Sequence, residues 1–146
     1  MENSIITMKI RYKVSSDKDK IRILEYVENY NNVLRFTYNR VQEGTKSTKE
    51  LTALQNKLNN IFVDSHFKNS AIYEAKSCQK DKVIFGGKKL FFNRLKGKIS
   101  KEEYRLKRLV PLYSVGEVNY KGNHKFKIID ENTIIFKPNK AEHIKL

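Results

Sequence analysis

Hydrophobic and polar positions alternate along the beginning of the chain. From Ile6 to Val14, apolar side chains occupy every second position, and threonine, lysine or arginine stands between them. This period of two is typical of a β-strand with one buried face. We therefore predict a strand over 6–14 whose outer face is basic.

The period then changes to that of a helix. Ser16, followed three residues later by Asp19, gives a start signal like that of a capping box, and apolar residues recur after it at mostly helical spacing. Glycine is a common stop signal because it adopts the left-handed conformation that ends many helices. The pattern predicts a long helix over 17–42, which Gly44 ends.

Two further helices are predicted before residue 80. Ser47 and Glu50 form a second capping box, and apolar residues at spacings of three and four favour an amphipathic helix to about Val63. Aromatic and small residues at similar spacings favour a third helix from about Phe67 to Cys78. Small residues allow close helix packing, so Cys78 is expected in the core rather than as a reactive thiol.

The stretch from Ile84 to Lys127 combines glycines, basic residues and aromatics. Gly86-Gly87 and two lysines begin it, and basic side chains then alternate with phenylalanine and leucine. Lysine and arginine can neutralise phosphates, glycines let backbone N–H groups approach an anion, and aromatic rings can stack on bases. The alternative is a solvated run of charge around ordinary core aromatics, and Phe91 and Phe92 are expected in the core.

A short helix and several strands are predicted in the last third of the chain. Ser100 and Glu103 form a third capping box, and Pro111 ends the basic helix that follows. The period then returns to two, which predicts strands at 112–115, 126–128 and 134–136 and a last short strand near the C-terminus.

These elements predict an α+β fold. The first strand has no partner nearby, and an isolated strand is unstable, so it should pair with the strands after residue 112. The expected architecture is a small β-barrel or sheet built from 1–15 and 109–146. A helical subdomain, 16–108, is inserted between the two parts and contains a basic segment, 85–108.

Composition favours an anionic partner. The chain has 146 residues, with 30 lysines and arginines against 16 acidic residues, and its formal net charge is +14 at pH 7. An excess of this size favours nucleic acid over an anionic membrane surface. No apolar run approaches the ~18 residues that indicate a membrane span, and the expected compartment is the cytoplasm.

The sequence offers little for catalysis or metal binding. Cys78 is the single cysteine and the three histidines are scattered, so no metal-ligand spacing results. No Ser-His-Asp or Cys-His set is legible. The sequence therefore assigns no catalytic residue, metal or cofactor.

Candidate contacts to nucleic acid come from the long helix, the basic segment and the glycine turn near residue 122. They are Arg35, Tyr38, Asn39, Arg40, Lys88, Lys89, Arg94, Lys96, Lys98, Arg105, Arg108, Lys121, Asn123, His124 and Lys125. A structural role is the alternative for each group: packing of Tyr38 between helices, solvated lysines, and an ordinary hairpin turn. The sequence does not separate phosphate contacts, which position a protein, from base contacts, which read a sequence.

Three short elements, taken in order, carry a family resemblance. They are Arg-Phe-Thr-Tyr-Asn at 35–39, Phe-Gly-Gly-Lys at 85–88 and Gly-Asn-His-Lys-Phe at 122–126. Together with the preceding strand and long helix, they resemble the N-terminal portion of TnpB-like transposon-encoded RNA-guided nucleases and of type V CRISPR effectors. The resemblance covers the chain from Lys9 to Lys137.

The resemblance implies a wedge-like β-barrel that holds a helical recognition subdomain. In that family these parts bind the guide RNA scaffold, the guide–target hybrid and the short duplex DNA motif beside the target. Cutting belongs to a RuvC-type domain whose carboxylates hold metal ions. Neither that domain nor the family's zinc ribbon is found in this sequence. The resemblance therefore implies RNA or DNA as partner, no nuclease centre in this chain, and a separate RuvC-bearing chain as a further candidate partner.

Three functions stay open at this point. The leading hypothesis is a nucleic-acid-binding module of a TnpB-like system, truncated or one half of a split protein. One alternative is a protein-interaction module that occupies or mimics a surface of an RNA-guided nuclease. The other is a stand-alone metal-dependent nuclease, which would need Mg²⁺ or Mn²⁺ and an essential carboxylate.

Overall fold

The computed structural model describes residues 11–58, 63–78, 83–112, 114 and 125–146, in which five helices precede three strands. The helices are α1 (Asp17–Gln42), α2 (Thr48–Gln55), α3 (Ser65–Ser77), α4 (Lys88–Leu95) and α5 (Lys101–Lys107). The strands are β1 (Phe126–Asp130), β2 (Thr133–Phe136) and β3 (Ile144–Lys145). The α+β fold class is confirmed.

Helix α1 has the bounds that the sequence predicts. The hydroxyl of Ser16 accepts a hydrogen bond from the backbone N–H of Asp19 at 3.1 Å, and a cap of this kind contributes about 1 kcal/mol. At the other end, Gly44 has a φ of +103°, a conformation that residues with a side chain rarely adopt. The chain therefore leaves the helix at the glycine stop signal.

Helix α2 is shorter than predicted. It ends at Gln55, and the backbone N–H of Leu58 donates to the carbonyl of Gln55 at 3.1 Å, the tighter spacing of a 3₁₀ turn. The prediction of a helix to about Val63 is wrong, because Asn56 and Lys57 form a turn and Leu58 is no longer helical.

Helix α4 is missing from the sequence prediction because it has no start signal. The other helices begin after a side chain that accepts a hydrogen bond from a backbone N–H, namely Ser16, Ser47, Asp64 and Ser100. Helix α4 begins after Gly87, which has a φ of +85° and no side chain for capping. Its first turn carries two lysines, where the helix dipole favours acidic residues.

Aromatic rings join α1, α3 and the sheet in one hydrophobic cluster. Tyr30 packs edge-on against Phe67 of α3, with 6.2 Å between the ring centroids. Phe136 of β2 lies edge-on to Tyr26 at 6.2 Å and stacks on Phe126 of β1 at 5.1 Å. Such aromatic pairs contribute about 0.5–1.5 kcal/mol each beyond the area that they bury. The helices and the sheet therefore share a core.

The sheet is antiparallel, with the strand order β1-β2-β3. Phe136 pairs with Phe126 on one side and with Ile144 on the other. Residues directly opposite each other point to the same face, so these three side chains turn together toward α1 and α3. The predictions of strands around 126–128 and 134–136, and of a last short strand, are confirmed.

The first predicted strand is corrected in part. Residues 6–10 lie outside the described residues, and 11–14 form no strand. Val14 packs against the core cluster, whereas 11–13, which include the apolar Tyr12, are exposed, so 11–14 show no alternation of buried and exposed side chains. Leu112 and Ser114, where another strand was expected, form none either. The barrel built from 1–15 and 109–146 stays a prediction.

Asn31 links α1 to the chain that follows α5. Its side-chain oxygen accepts from the backbone N–H of Val110 at 2.9 Å, and its amide donates to the carbonyls of Val110 and Val27, each at 2.8 Å. The residue is fully buried. The side chain therefore pairs with the backbone of Val110 much as a neighbouring strand would.

Replacement of Asn31 with alanine should destabilise the protein by about 2 to 3 kcal/mol, because both polar groups of Val110 lose their partner. Asn39→Ala is the matched control, since Asn39 is an exposed asparagine on the same helix. We expect its free energy of unfolding to stay within about 0.5 kcal/mol of wild type. Urea denaturation measures both variants, and equal values for the two would contradict the role of Asn31.

A carboxylate near the C-terminus joins the loop after β2 to the start of α1. Glu142 accepts hydrogen bonds from Arg22 Nε at 3.0 Å and from the hydroxyl of Tyr26 at 2.7 Å. Burial raises the pKa of Glu142, but these hydrogen bonds outweigh burial and hold the pKa below its ordinary value. The bonds therefore favour the ionised carboxylate in the folded protein.

The stability that Glu142 supplies should depend on pH. A carboxyl group with a lowered pKa stabilises the fold above its unfolded value of about 4.3, and this stability is lost as the pH falls through the folded pKa. Glu142→Gln should cost about 1 kcal/mol at pH 7 and progressively less toward acid. Glu131→Gln, in the exposed turn of the sheet, is the control. A cost for Glu142→Gln that is constant with pH would contradict this assignment.

Candidate nucleic-acid interface

Helices α4 and α5 form a basic hairpin, defined here as residues 85–108. The two helices pack against each other, and of the described residues none in either helix is buried. The hairpin has nine lysines and arginines against two glutamates. The hairpin therefore carries half of the formal net charge of the chain, +7 of +14, and contributes no fully buried residue to the core.

The hairpin is anchored at the residues where it begins and ends. The ring of Phe85 lies edge-on to Tyr38 of α1 at 5.8 Å between centroids. Gly86 has a φ of +85°, and a Cβ there would lie 2.8 Å from Cβ of Arg108. Only glycine therefore lets the beginning of the hairpin touch its end. The backbone N–H of Gly87 donates to the carbonyl of Ile84 at 2.9 Å, so this group is already engaged rather than offered to an anion.

The predicted lysine contacts of the hairpin are exposed. In the part of the chain that the structure describes, none of the following forms an ion pair: Lys88, Lys89, Lys96 and Lys98. Arg94 makes a long hydrogen bond, 3.4 Å, to the carbonyl of Ile99. The lysines at the first turn of α4 stand at the positive end of the helix dipole, which an anion would offset.

Apolar side chains are exposed between these lysines. Phe92 is 52% exposed and Leu95 is 65% exposed, three residues apart on α4. Phe91 packs edge-on against Phe92 at 5.7 Å between centroids. The expectation that Phe92 is a core residue is wrong, because no other layer of the described structure covers this side of α4.

Three arginines meet between α1 and α5. Arg105 donates to both carboxylate oxygens of Glu28 at 3.0 Å, and Arg108 lies 5.1 Å over the ring of Tyr104. Burial lowers the pKa of Arg35, and the charges of Arg108 and Arg105 lower it further. Sequence reasoning missed Glu28 and Tyr104. The i, i+4 spacing of Tyr104 and Arg108 on one helix is the signal that could have found the second of them.

The remaining candidates on α1 differ in their surroundings. Tyr38 is only 5% exposed, and its hydroxyl accepts from the backbone N–H of Val83 at 3.1 Å. This corrects the expectation that it contacts a ligand from the helix surface. Arg40 forms an ion pair with Glu43 at 2.7 Å and lies over the ring of Phe36. Asn39 is exposed.

Lys125 has a structural role. It is only 5% exposed, its ammonium forms an ion pair with Asp64, and it lies 5.4 Å from the ring centre of Phe67. Burial lowers the pKa of the ammonium. The expectation of a phosphate contact by Lys125 is therefore corrected, because this side chain joins the start of β1 to the start of α3. Lys121, Asn123 and His124 lie outside the described residues.

Neither a metal cluster nor a membrane span stands out in what the structure describes. Across those residues, no group of three or more histidine, cysteine, aspartate or glutamate side chains could hold a metal ion. No helix there is long and apolar enough to cross a bilayer.

The comparison with known families covers nearly the whole chain. The family model of the SSO2105 N-terminal domain matches residues 5–145. The chain belongs to the SSO2105 N-terminal domain family. No curated protein matches the chain, and no solved structure matches it. The name of the family describes a domain and gives no activity.

Replacement of Lys125 with alanine should destabilise the fold by about 1 to 3 kcal/mol, because it removes the ion pair and the packing of the lysine stem. Lys127→Ala is the matched control, since Lys127 is an exposed lysine two residues away. It should change the free energy of unfolding by less than about 0.5 kcal/mol. Similar values for the two lysines in urea denaturation would show that Lys125 is not structural.

Proposed function

We propose that this protein binds nucleic acid through the basic hairpin. The observation that carries the proposal is the absence of ion pairs at four exposed lysines, Lys88, Lys89, Lys96 and Lys98, among the described residues. Unpaired lysines on one exposed element provide a surface that can neutralise successive phosphates of a polyanion.

The exposed apolar residues of α4 favour nucleic acid over a simple anion. Phe92 and Leu95 lie on the same helix as the lysines, and Lys88 and Lys96 stand one turn before and after Phe92. An aromatic ring within a basic surface can stack on an unpaired base. The hairpin therefore suits a strand with accessible bases as well as a charged backbone.

The resemblance to TnpB-like proteins supplies specific ligands for this proposal. A guide RNA scaffold, a guide–target hybrid and target-adjacent duplex DNA are the nucleic acids to offer, with a RuvC-bearing chain as a possible second partner. We assign no catalytic step to this chain. Its cytoplasmic location remains an expectation.

Removal of three hairpin lysines should weaken binding and reduce its salt dependence. The variant carries Lys88→Ala, Lys89→Ala and Lys96→Ala. Each lost phosphate contact lowers the slope of log affinity against log salt by about 0.7 on a single strand or 0.9 on duplex DNA, so the slope should fall by about 2 to 3. Fluorescence anisotropy with a labelled single-stranded RNA and a labelled duplex DNA measures this change.

The control removes the same charge from exposed positions around α2, with Lys46→Ala, Lys49→Ala and Lys57→Ala. An equal loss for both triple variants would mean that net charge, and not the hairpin, determines affinity. Binding to a protein partner that resists both salt and nuclease treatment would favour the protein-interaction function instead.

A further inference from the structure

The junction of α1 and α5 contains more positive charge than the described structure neutralises. Three guanidinium groups, those of Arg35, Arg105 and Arg108, are matched by one carboxylate, Glu28. Arginine stays protonated at any ordinary pH, so the cluster cannot relieve its repulsion by losing a proton. A bound anion would offset this charge.

Hydrogen-bond donors in the cluster also lack partners. Nη1 of Arg35 and Nε of Arg108 are buried and have no acceptor among the described residues. Arg22, near the other end of α1, provides the contrast, because its nitrogens donate to Glu142, Glu25 and Tyr26. One arginine is fully used in folding, while the other two retain donors that folding leaves unused.

The arginines are nevertheless held in place. Nη2 of Arg35 donates to Asn32 at 2.6 Å, and the guanidinium of Arg108 lies over Tyr104. Gly86 adjoins the backbone of Arg108, because a Cβ at Gly86 would lie 3.0 Å from its Cα. The planar fork of a fixed guanidinium matches two oxygens of a phosphate.

We propose that Arg35, Arg105 and Arg108 form a site for one phosphate group of a nucleic acid strand. This inference rests on the proposed function and assigns one phosphate to a defined position. Arg105 is the most exposed of the three and contacts the phosphate with Arg108, while the less exposed Arg35 adds charge to the site. Lys88 follows the Gly86-Gly87 pair directly, so the strand continues from the arginine site onto the lysines of the hairpin.

The test compares Arg108→Gln and Arg35→Gln with Lys101→Gln, an exposed residue of α5 that loses the same charge. Affinity for the labelled single-stranded RNA should fall about tenfold or more for each arginine variant and about twofold to threefold for the control. Arg108→Lys keeps the charge but loses the fork, and it should fall between these values. Circular dichroism confirms that each variant is folded.

A second measurement uses inorganic phosphate. Its addition should shift the Nε–H signals of Arg35 and Arg108 in a saturable way by NMR, and Arg108→Gln should remove the shift at Arg35. RNA with and without a 5′-phosphate should bind equally if the site takes a backbone phosphate. A strong preference for the 5′-phosphate would overturn the backbone assignment in favour of a strand end.

The outcomes separate this inference from the proposed function. If wild type binds RNA with a steep salt dependence, but both arginine variants behave like Lys101→Gln, the phosphate site is overturned and the function stands. If neither RNA nor duplex DNA binds and phosphate still saturates the arginines, nucleic acid is overturned as the source of the phosphate. If phosphate shifts neither arginine signal and the variants match the control, the site does not exist.

Discussion

Buried polar and aromatic side chains along α1 fix the other elements of the described structure to this one helix. Tyr26 holds the sheet, Tyr30 packs on α3, and Asn31 holds the chain after α5. Thr37 accepts from Gln55 at the end of α2, and Tyr38 accepts from the backbone before the hairpin. Each contact combines packing with a directional bond or ring geometry, so α1 sets both the position and the orientation of its neighbours.

This arrangement separates the contacts that hold the fold from the surface that we propose for binding. Most of these contacts to α1 use tyrosine, asparagine and threonine, and Arg22 of α1 has a carboxylate beside it, as does the buried Lys125 between α3 and the sheet. The basic hairpin is attached through Phe85 and Arg105, which leaves most of its lysines outside the packing. Like charges that lie close together on a surface repel one another and destabilise the fold. This cost is smallest where few core contacts depend on the charged element.

Sequence reasoning succeeded where a local physical signal exists. The bounds of α1, the start of α5 and the hairpin of β1 and β2 follow from caps, a glycine stop and a change of period. Helix α4 was not predicted because Gly87 offers no side chain for capping. The early end of α2 was not predicted because the apolar spacing continues past the turn at Asn56 and Lys57. Phe92 was misassigned because an apolar residue at helical spacing is buried only if another layer covers it.

Candidate contacts were harder to predict than helices, because the same residue type has opposite roles in this chain. Lys125 and Lys127 are two residues apart, yet one is buried against Asp64 and the other is exposed. Arg22 and Arg35 both lie on α1. Each guanidinium nitrogen of Arg22 has a hydrogen-bond acceptor, whereas Nη1 of Arg35 has none among the described residues. Net charge gives only the excess of cations over anions in a chain, whereas the acceptors that folding brings near each cation decide which of them stay unpaired. Whether a predicted contact is structural or exposed therefore depends on its neighbours in the folded protein. Such a neighbour can lie 120 residues away in sequence, as Glu142 does from Arg22.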